Sequence, residues 1–206
     1  KTLLYREPPH YITLGKELPA KALDEILTDH AEVFTELKEY YKQTSESETT
    51  KISFYEDTYS LYNLYRFSHY YEEAYGKYIW LKSGASLVIE HTEAMTVIDV
   101  NTGSVLKKKK QEDTLFYQIN REAAKEIARQ LRLRNISGII MIDFINMKDT
   151  AQKEKLLSLL DSECKKDRVH CNVIDMTALN LVEMTRSKVR KPLHEQIRSC
   201  MKNNRS

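Results

Sequence analysis

Apolar residues recur along this chain at two different periods, and the change from one to the other marks out its elements. From Asp113 to Arg134, the residues Leu115, Ile119, Ala123, Ile127 and Leu131 return every four positions, with Phe116, Ala124 and Ala128 beside them. Such a stripe predicts a helix lying on a sheet. On either side of it stand Met95-Thr96-Val97-Ile98-Asp99-Val100-Asn101-Thr102-Gly103 and Gly138-Ile139-Ile140-Met141-Ile142-Asp143-Phe144. Both are β-branched runs of strand length that arrive at an aspartate, which is how adjacent strands of an α/β sheet read. Upstream, Tyr78 to Leu81, a turn at Lys82-Ser83-Gly84, the run Ser86 to Glu90 and a turn at His91-Thr92-Glu93 predict an antiparallel meander entering the Asp99 strand. Downstream, Asp149 with Gln152 three residues later has capping-box spacing for a helix whose buried face is Leu156, Leu157, Leu159 and Leu160. Asn172 to Met176 predicts one more strand, and Leu181 to Arg186 leads into a basic tail.

The first third is less regular. Thr2 to Tyr5 predicts a short strand that Pro8-Pro9 interrupts, and Val33, Phe34, Leu37 and Tyr41 give His30 to Tyr41 a helical period. Thr44 to Thr50 is a polar loop and Lys51 to Tyr55 a strand. Tyr59, Tyr62, Tyr65 and Tyr70, with Leu61 and Leu64, form a tyrosine-rich helical segment, for which burial of one face is favoured over stacking with nucleic-acid bases. Gly76 ends that pattern, so the domains expected are 1–76 and 77–206 and the fold class is α/β with a mixed sheet.

Composition narrows the class. With 206 residues, 30% charged and 41% hydrophobic, the chain has the make-up of an ordinary soluble globular protein of one large or two small domains. No apolar run approaches bilayer length, so no membrane span is expected. The chain opens on Lys1 rather than Met, which suggests a piece of a longer protein or a processed product. Cys164, Cys171 and Cys200 are too few and too irregular for a disulfide framework or paired-cysteine zinc site, so a reducing, cytoplasmic location is expected. A net charge of +2 says little, but its distribution says more. Arg186, Lys188, Arg190, Lys191, Arg198, Lys202 and Arg205 face one acid, Glu195, in the tail, and Lys107 to Lys110 form a second cluster after the Asp99 strand. Basic clusters near strand ends suit a phosphodiester backbone, although most such runs are solvated faces.

The candidate chemistry sits at the two strand ends, where open α/β sheets leave a crevice. Asn101 follows Asp99 by two, so in an extended chain both side chains share a face. Asp99, Asp143 and Asn101 then make an oxygen-rich set suited to magnesium, which takes one or two carboxylates and keeps several waters. The plainer alternative is that each aspartate only shapes a turn or caps a helix.

Several motifs in order add a resemblance: Thr92-Glu93-Ala94, Ile98-Asp99-Val100-Asn101, the helix Arg121 to Arg134, Gly138 to Phe144, Lys166-Asp167-Arg168 and Glu183-Met184-Thr185-Arg186. Together they resemble the ribonuclease E/G family of bacterial endoribonucleases, most specifically over Glu90 to Arg186 and more loosely before Gly76. The resemblance implies a ribonuclease-H-like subdomain followed by a deoxyribonuclease-I-like subdomain that holds the site. It also implies cleavage of single-stranded, A/U-rich RNA to 5′-phosphate and 3′-hydroxyl ends, with Asp99 and Asp143 holding magnesium, or manganese in its place, and Asn101 orienting them. Arg168, Arg186, Lys188 and Lys107 become candidates for the RNA backbone. The family's oligonucleotide-binding barrel is not recognisable here, and its zinc motif, through which two subunits pair as a homo-oligomer, has only Cys200 in the matching region. Asn135 stands where an aspartate is expected.

Overall fold

A computed structural model describes residues 9–17, 23–43, 50–103 and 112–196. The chain divides into two compact units, the first ending at His69 and the second beginning at Tyr70.

In the first unit, α1 (His10–Glu17) precedes β1 (Glu25–Thr28), α2 (Ala31–Lys42), β2 (Lys51–Phe54) and the single turn α3 (Leu61–Leu64). Strands β1 and β2 pair in parallel from Glu25 opposite Lys51 to Thr28 opposite Phe54. Leu37 and Tyr41, one turn apart on α2, bury with Ile12 as its small core, as the helical period requires. The strand expected at Thr2 to Tyr5 lies outside the described residues.

The tyrosine-rich segment departs from expectation. It is two helices, α3 and α4 (Phe67–Tyr75), separated at Arg66, whose φ of 51° no helix accommodates. Tyr59, Tyr62, Tyr65 and Tyr70 are all exposed, and Leu61 and Ala74 are the residues these helices bury. Broken by a left-handed residue, the segment is not one continuous helix, and Tyr62 and Tyr65 pack against Phe67 with ring centroids 6.0 and 6.2 Å away. The division between units falls inside α4, seven residues before the expected boundary. Glu73 belongs to the second unit: it pairs with Arg129, accepts from Gln130 Nε2 at 3.1 Å, and its carbonyl accepts from Arg134 Nη2 at 2.8 Å.

The second unit is α/β with a mixed six-stranded sheet, ordered β3-β4-β5-β6-β8-β7. Its strands are β3 (Tyr78–Trp80), β4 (Ser86–His91), β5 (Met95–Asn101), β6 (Gly138–Asp143), β7 (Cys171–Met176) and β8 (Leu181–Arg186). The expected antiparallel meander is β3-β4-β5. Helix α5 (Glu112–Leu133) then carries the chain to β6, which lies parallel to β5, and α6 (Thr150–Cys164) carries it to the β7-β8 hairpin. Ile119, Ala123, Ala124, Ile127, Ala128 and Leu131 of α5 and Leu156 and Leu160 of α6 pack with Leu87, Ile98, Ile140, Ile142, Val182 and Met184 of the strands in one core. The helices therefore cover one face of the sheet. On the other face the alternate positions Met95, Val97 and Ile139 are exposed, which a sheet buried on both sides would not allow.

Asp149 does cap α6, but through the amide of Ala151 at 2.9 Å. The reciprocal half of a capping box does not form, since Gln152 Oε1 is buried with no partner.

Candidate active site

Parallel pairing of β5 and β6 fixes the geometry of the strand ends. The register runs Met95 opposite Ile139, Val97 opposite Met141 and Asp99 opposite Asp143. Because Ile98 and Ile142 are fully buried, alternation turns both aspartates to the uncovered face. Directly opposed residues on neighbouring strands bring their side chains within contact range, so the two carboxyl groups stand together. Asn101, two residues on, donates from Nδ2 to Asp99 Oδ2 at 2.7 Å. The expected trio is thus assembled by secondary structure alone.

Electrostatics distinguishes the two acids. Partial desolvation first, and the charge of Asp99 second, hold the Asp143 carboxyl above the usual carboxylate range. Among the described residues no cation or hydrogen-bond donor answers Asp143. Among those residues no group of three or more His, Cys, Asp or Glu is arranged to hold a metal ion. Two hard carboxylates with an amide beside them instead fit a cation that fills the rest of its shell with water, as magnesium does, and not the closed tetrahedral set of structural zinc.

Three supporting residues were not singled out in the sequence. Asn120, fully buried on α5, donates from Nδ2 to Ile145 O at 2.7 Å and accepts from Ile145 N at 3.1 Å, clamping the chain two residues past Asp143. Its signal was present: an amide set within the apolar stripe between Ile119 and Ala123. Glu122 accepts from the amides of Lys82 at 2.7 Å and Ser83 at 3.3 Å, holding the β3-β4 turn. Gly103, at φ 57°, packs so closely on that turn that a Cβ would meet Gly84 O at 2.6 Å. A side chain there must displace the end of β5.

Among the described residues, the basic candidate Arg186 stands away from the site. Arg186 pairs with Gly138 at the other end of β6, five residues from Asp143, or roughly 17 Å at strand rise. It is buried, with Nε on Asp167 Oδ2 at 2.9 Å and Nη1 on Asn135 Oδ1 at 2.9 Å and Ile136 O at 3.0 Å. Its Nε and Nη1 donors are engaged inside the protein, so the structure gives it a structural place in lieu of an RNA contact. Lys188 is exposed and 3.7 Å from Glu195, Arg168 is exposed between α6 and β7, and Lys107 and Cys200 lie outside the described residues.

Comparison with known proteins bears on what such a pair serves. The model of the Ribonuclease E/G family matches residues 1–189. The chain belongs to the ribonuclease E/G family. It is 37% identical over 193 residues to Ribonuclease G of Haemophilus influenzae, covering 94% of this chain and 39% of that protein. It is 38% identical over 171 residues to Ribonuclease G of Escherichia coli K12, covering 83% and 35%. To Ribonuclease E of a Nostoc species it is 32% identical over 196 residues, covering 94% and 28%. The chain thus spans about two fifths or less of the curated ribonuclease E/G relatives it matches. No helix among the described residues is long and apolar enough to cross a membrane.

Proposed function

We propose that this chain carries the catalytic part of a divalent-metal-dependent endoribonuclease acting on single-stranded, A/U-rich RNA in cytoplasmic RNA processing and decay. The direct register of Asp99 with Asp143 supports this reading, together with the names of the relatives. Hydrolysis adds the oxygen of water to phosphorus, breaks the P–O3′ bond and places a proton on the departing O3′. One product keeps a 5′-phosphate and the other a 3′-hydroxyl. Negative charge grows on the phosphoryl oxygens along the way, and the site has to answer it.

Asp99 and Asp143 would hold magnesium, or manganese in its place. Such an ion, when bound, supplies Lewis-acid neutralisation of phosphoryl charge and acidifies water. Asn101 fixes the Asp99 carboxylate by its hydrogen bond, so that the remaining lone pairs keep one orientation. Asn120 positions the segment behind Asp143. The same reading gives the intact protein an oligonucleotide-binding barrel and self-association, as the family resemblance implies.

Cleavage of a labelled single-stranded RNA in magnesium tests the reading. Asp99→Asn and Asp143→Asn should each lower the rate on the order of 100-fold or more. Cleavage that survives both substitutions would refute it, and salt-sensitive binding without turnover would identify an RNA-binding module instead.

A further inference from the structure

The sheet face that bears Asp99 and Asp143 has the wrong charge for gripping RNA. By alternation from the buried Ile79, Ile89, Ile98, Ile142 and Val182, its strand residues include Glu90, Asp99, Asp143, Asp175 and Glu183 and no Lys or Arg. Lys77, at the head of β3, is already paired with Glu90. A face of this sign repels a phosphodiester chain. Cleavage nevertheless requires that the nucleotides flanking the scissile phosphate be held still.

What the face offers is aromatic. Tyr78 and Trp80 lie on the edge strand β3, opposite in direction to the buried Ile79, and are 60% and 73% exposed. Tyr78 pairs with Val88, which pairs with Asp99, and Trp80 pairs with Ser86, which pairs with Asn101. The two rings are therefore level with the carboxylate and the amide of the site, two strands across, at about 10 Å. Trp80 is the one tryptophan in the chain, and so large a ring is seldom left this bare.

We propose that Tyr78 and Trp80 form a base-stacking platform that binds single-stranded RNA next to the phosphate placed at Asp99 and Asp143. The inference rests on the ribonuclease reading and names how the uncharged part of the substrate is held. Rings present π faces on which any base can stack, so this contact is made with the base and not with the phosphate.

The lone tryptophan reports the contact itself. Asp99→Asn chain in EDTA, titrated with an unstructured A/U-rich oligoribonucleotide, should show saturable quenching of tryptophan emission. Trp80→Ala should weaken oligonucleotide affinity about 5- to 150-fold, the range that one stacked base contributes. Trp80→Phe should recover most of that loss, and in a chain with both aspartates Trp80→Ala should raise KM by more than it lowers kcat. RNA that binds with unchanged emission, and equally well to Trp80→Ala, overturns the platform and leaves the metal-dependent nuclease standing. Concentration-dependent shielding of Trp80 from acrylamide without RNA assigns the face to a second copy and overturns it as well. If the unsubstituted chain neither binds nor cleaves RNA, the ribonuclease reading itself fails, and the platform falls with it.

Discussion

The two ends of β6 treat charge in opposite ways. Where the strand starts, Gly138 faces Arg186, whose guanidinium is buried and answered by Asp167, Asn135 and the carbonyl of Ile136, while Asp167 also takes the amide of Val169 at 2.9 Å. Where it finishes, Asp143 faces Asp99, and among the described residues no cation balances them. A charge answered inside the chain holds a fold together. Two like charges side by side cost free energy in the folded chain, and they persist where something outside the chain answers them. The closed end thus marks structure and the open end is where the chemistry is proposed, although both are built from charged residues on neighbouring strands.

The widest split between them should appear in stability. Arg186→Met strands Asp167 in the interior, and denaturant unfolding should show a loss of about 3–5 kcal/mol. A loss under about 1 kcal/mol would mean that the closed end is no anchor. At the open end the corresponding change should act on binding instead. Asn101→Ala frees the Asp99 carboxylate, and calorimetric titration should show manganese affinity falling about 10- to 100-fold. Its melting temperature should stay near that of the parent chain, since Asn101 is exposed.

A subtler difference lies in pH. Asp143 has its folded pKa raised by desolvation and by Asp99, so folding shifts its balance toward the neutral acid relative to the unfolded chain. Its contribution to stability is complete below the ordinary carboxylate range and is lost as pH rises through the raised folded value. The melting temperature of the metal-free chain should therefore carry a component that falls across that window. Asp143→Asn should remove that component. Metal should reverse it, because binding draws on the ionised form. A slope that is the same with and without the Asp143 carboxyl would show that the open end carries no unbalanced charge.

The site was far more legible in the sequence than this contrast. The period of α5 and the β-branched runs of β5 and β6 fix which faces are buried, and parallel pairing across one helix then brings Asp99 and Asp143 opposite each other. Local pattern suffices for that. It does not say which of several arginines finds an internal acid, because the Asp167 partner of Arg186 is 19 residues away and comes beside it through the β7-β8 pairing. Nor does it show that the tyrosines of α3 and α4 stay exposed, since one left-handed residue, Arg66, splits the segment into two short helices. Basicity and aromaticity announce a residue's capacity. Tertiary neighbours decide how it is used.

Asn135 gives the finest probe of the closed end. It sits at φ 48° just past α5, a conformation that Asn tolerates better than most residues, and its amide works in both directions. Oδ1 accepts from Arg186 at 2.9 Å, and Nδ2 donates to the carbonyls of Arg190 at 3.1 Å and Lys191 at 3.3 Å. An aspartate would strengthen the first contact and lose the other two. The Lys191 carbonyl keeps Gln196 Nε2 at 2.6 Å, and Arg190 is exposed to water, so the loss is small. Asn135→Asp should accordingly change unfolding free energy by no more than about 1 kcal/mol. Asn135→Val should cost more, because a β-branched side chain resists positive φ. If Asn135→Asp proved as damaging as Arg186→Met, the guanidinium would have no room for a second negative partner, and its compensation by Asp167 would already be complete.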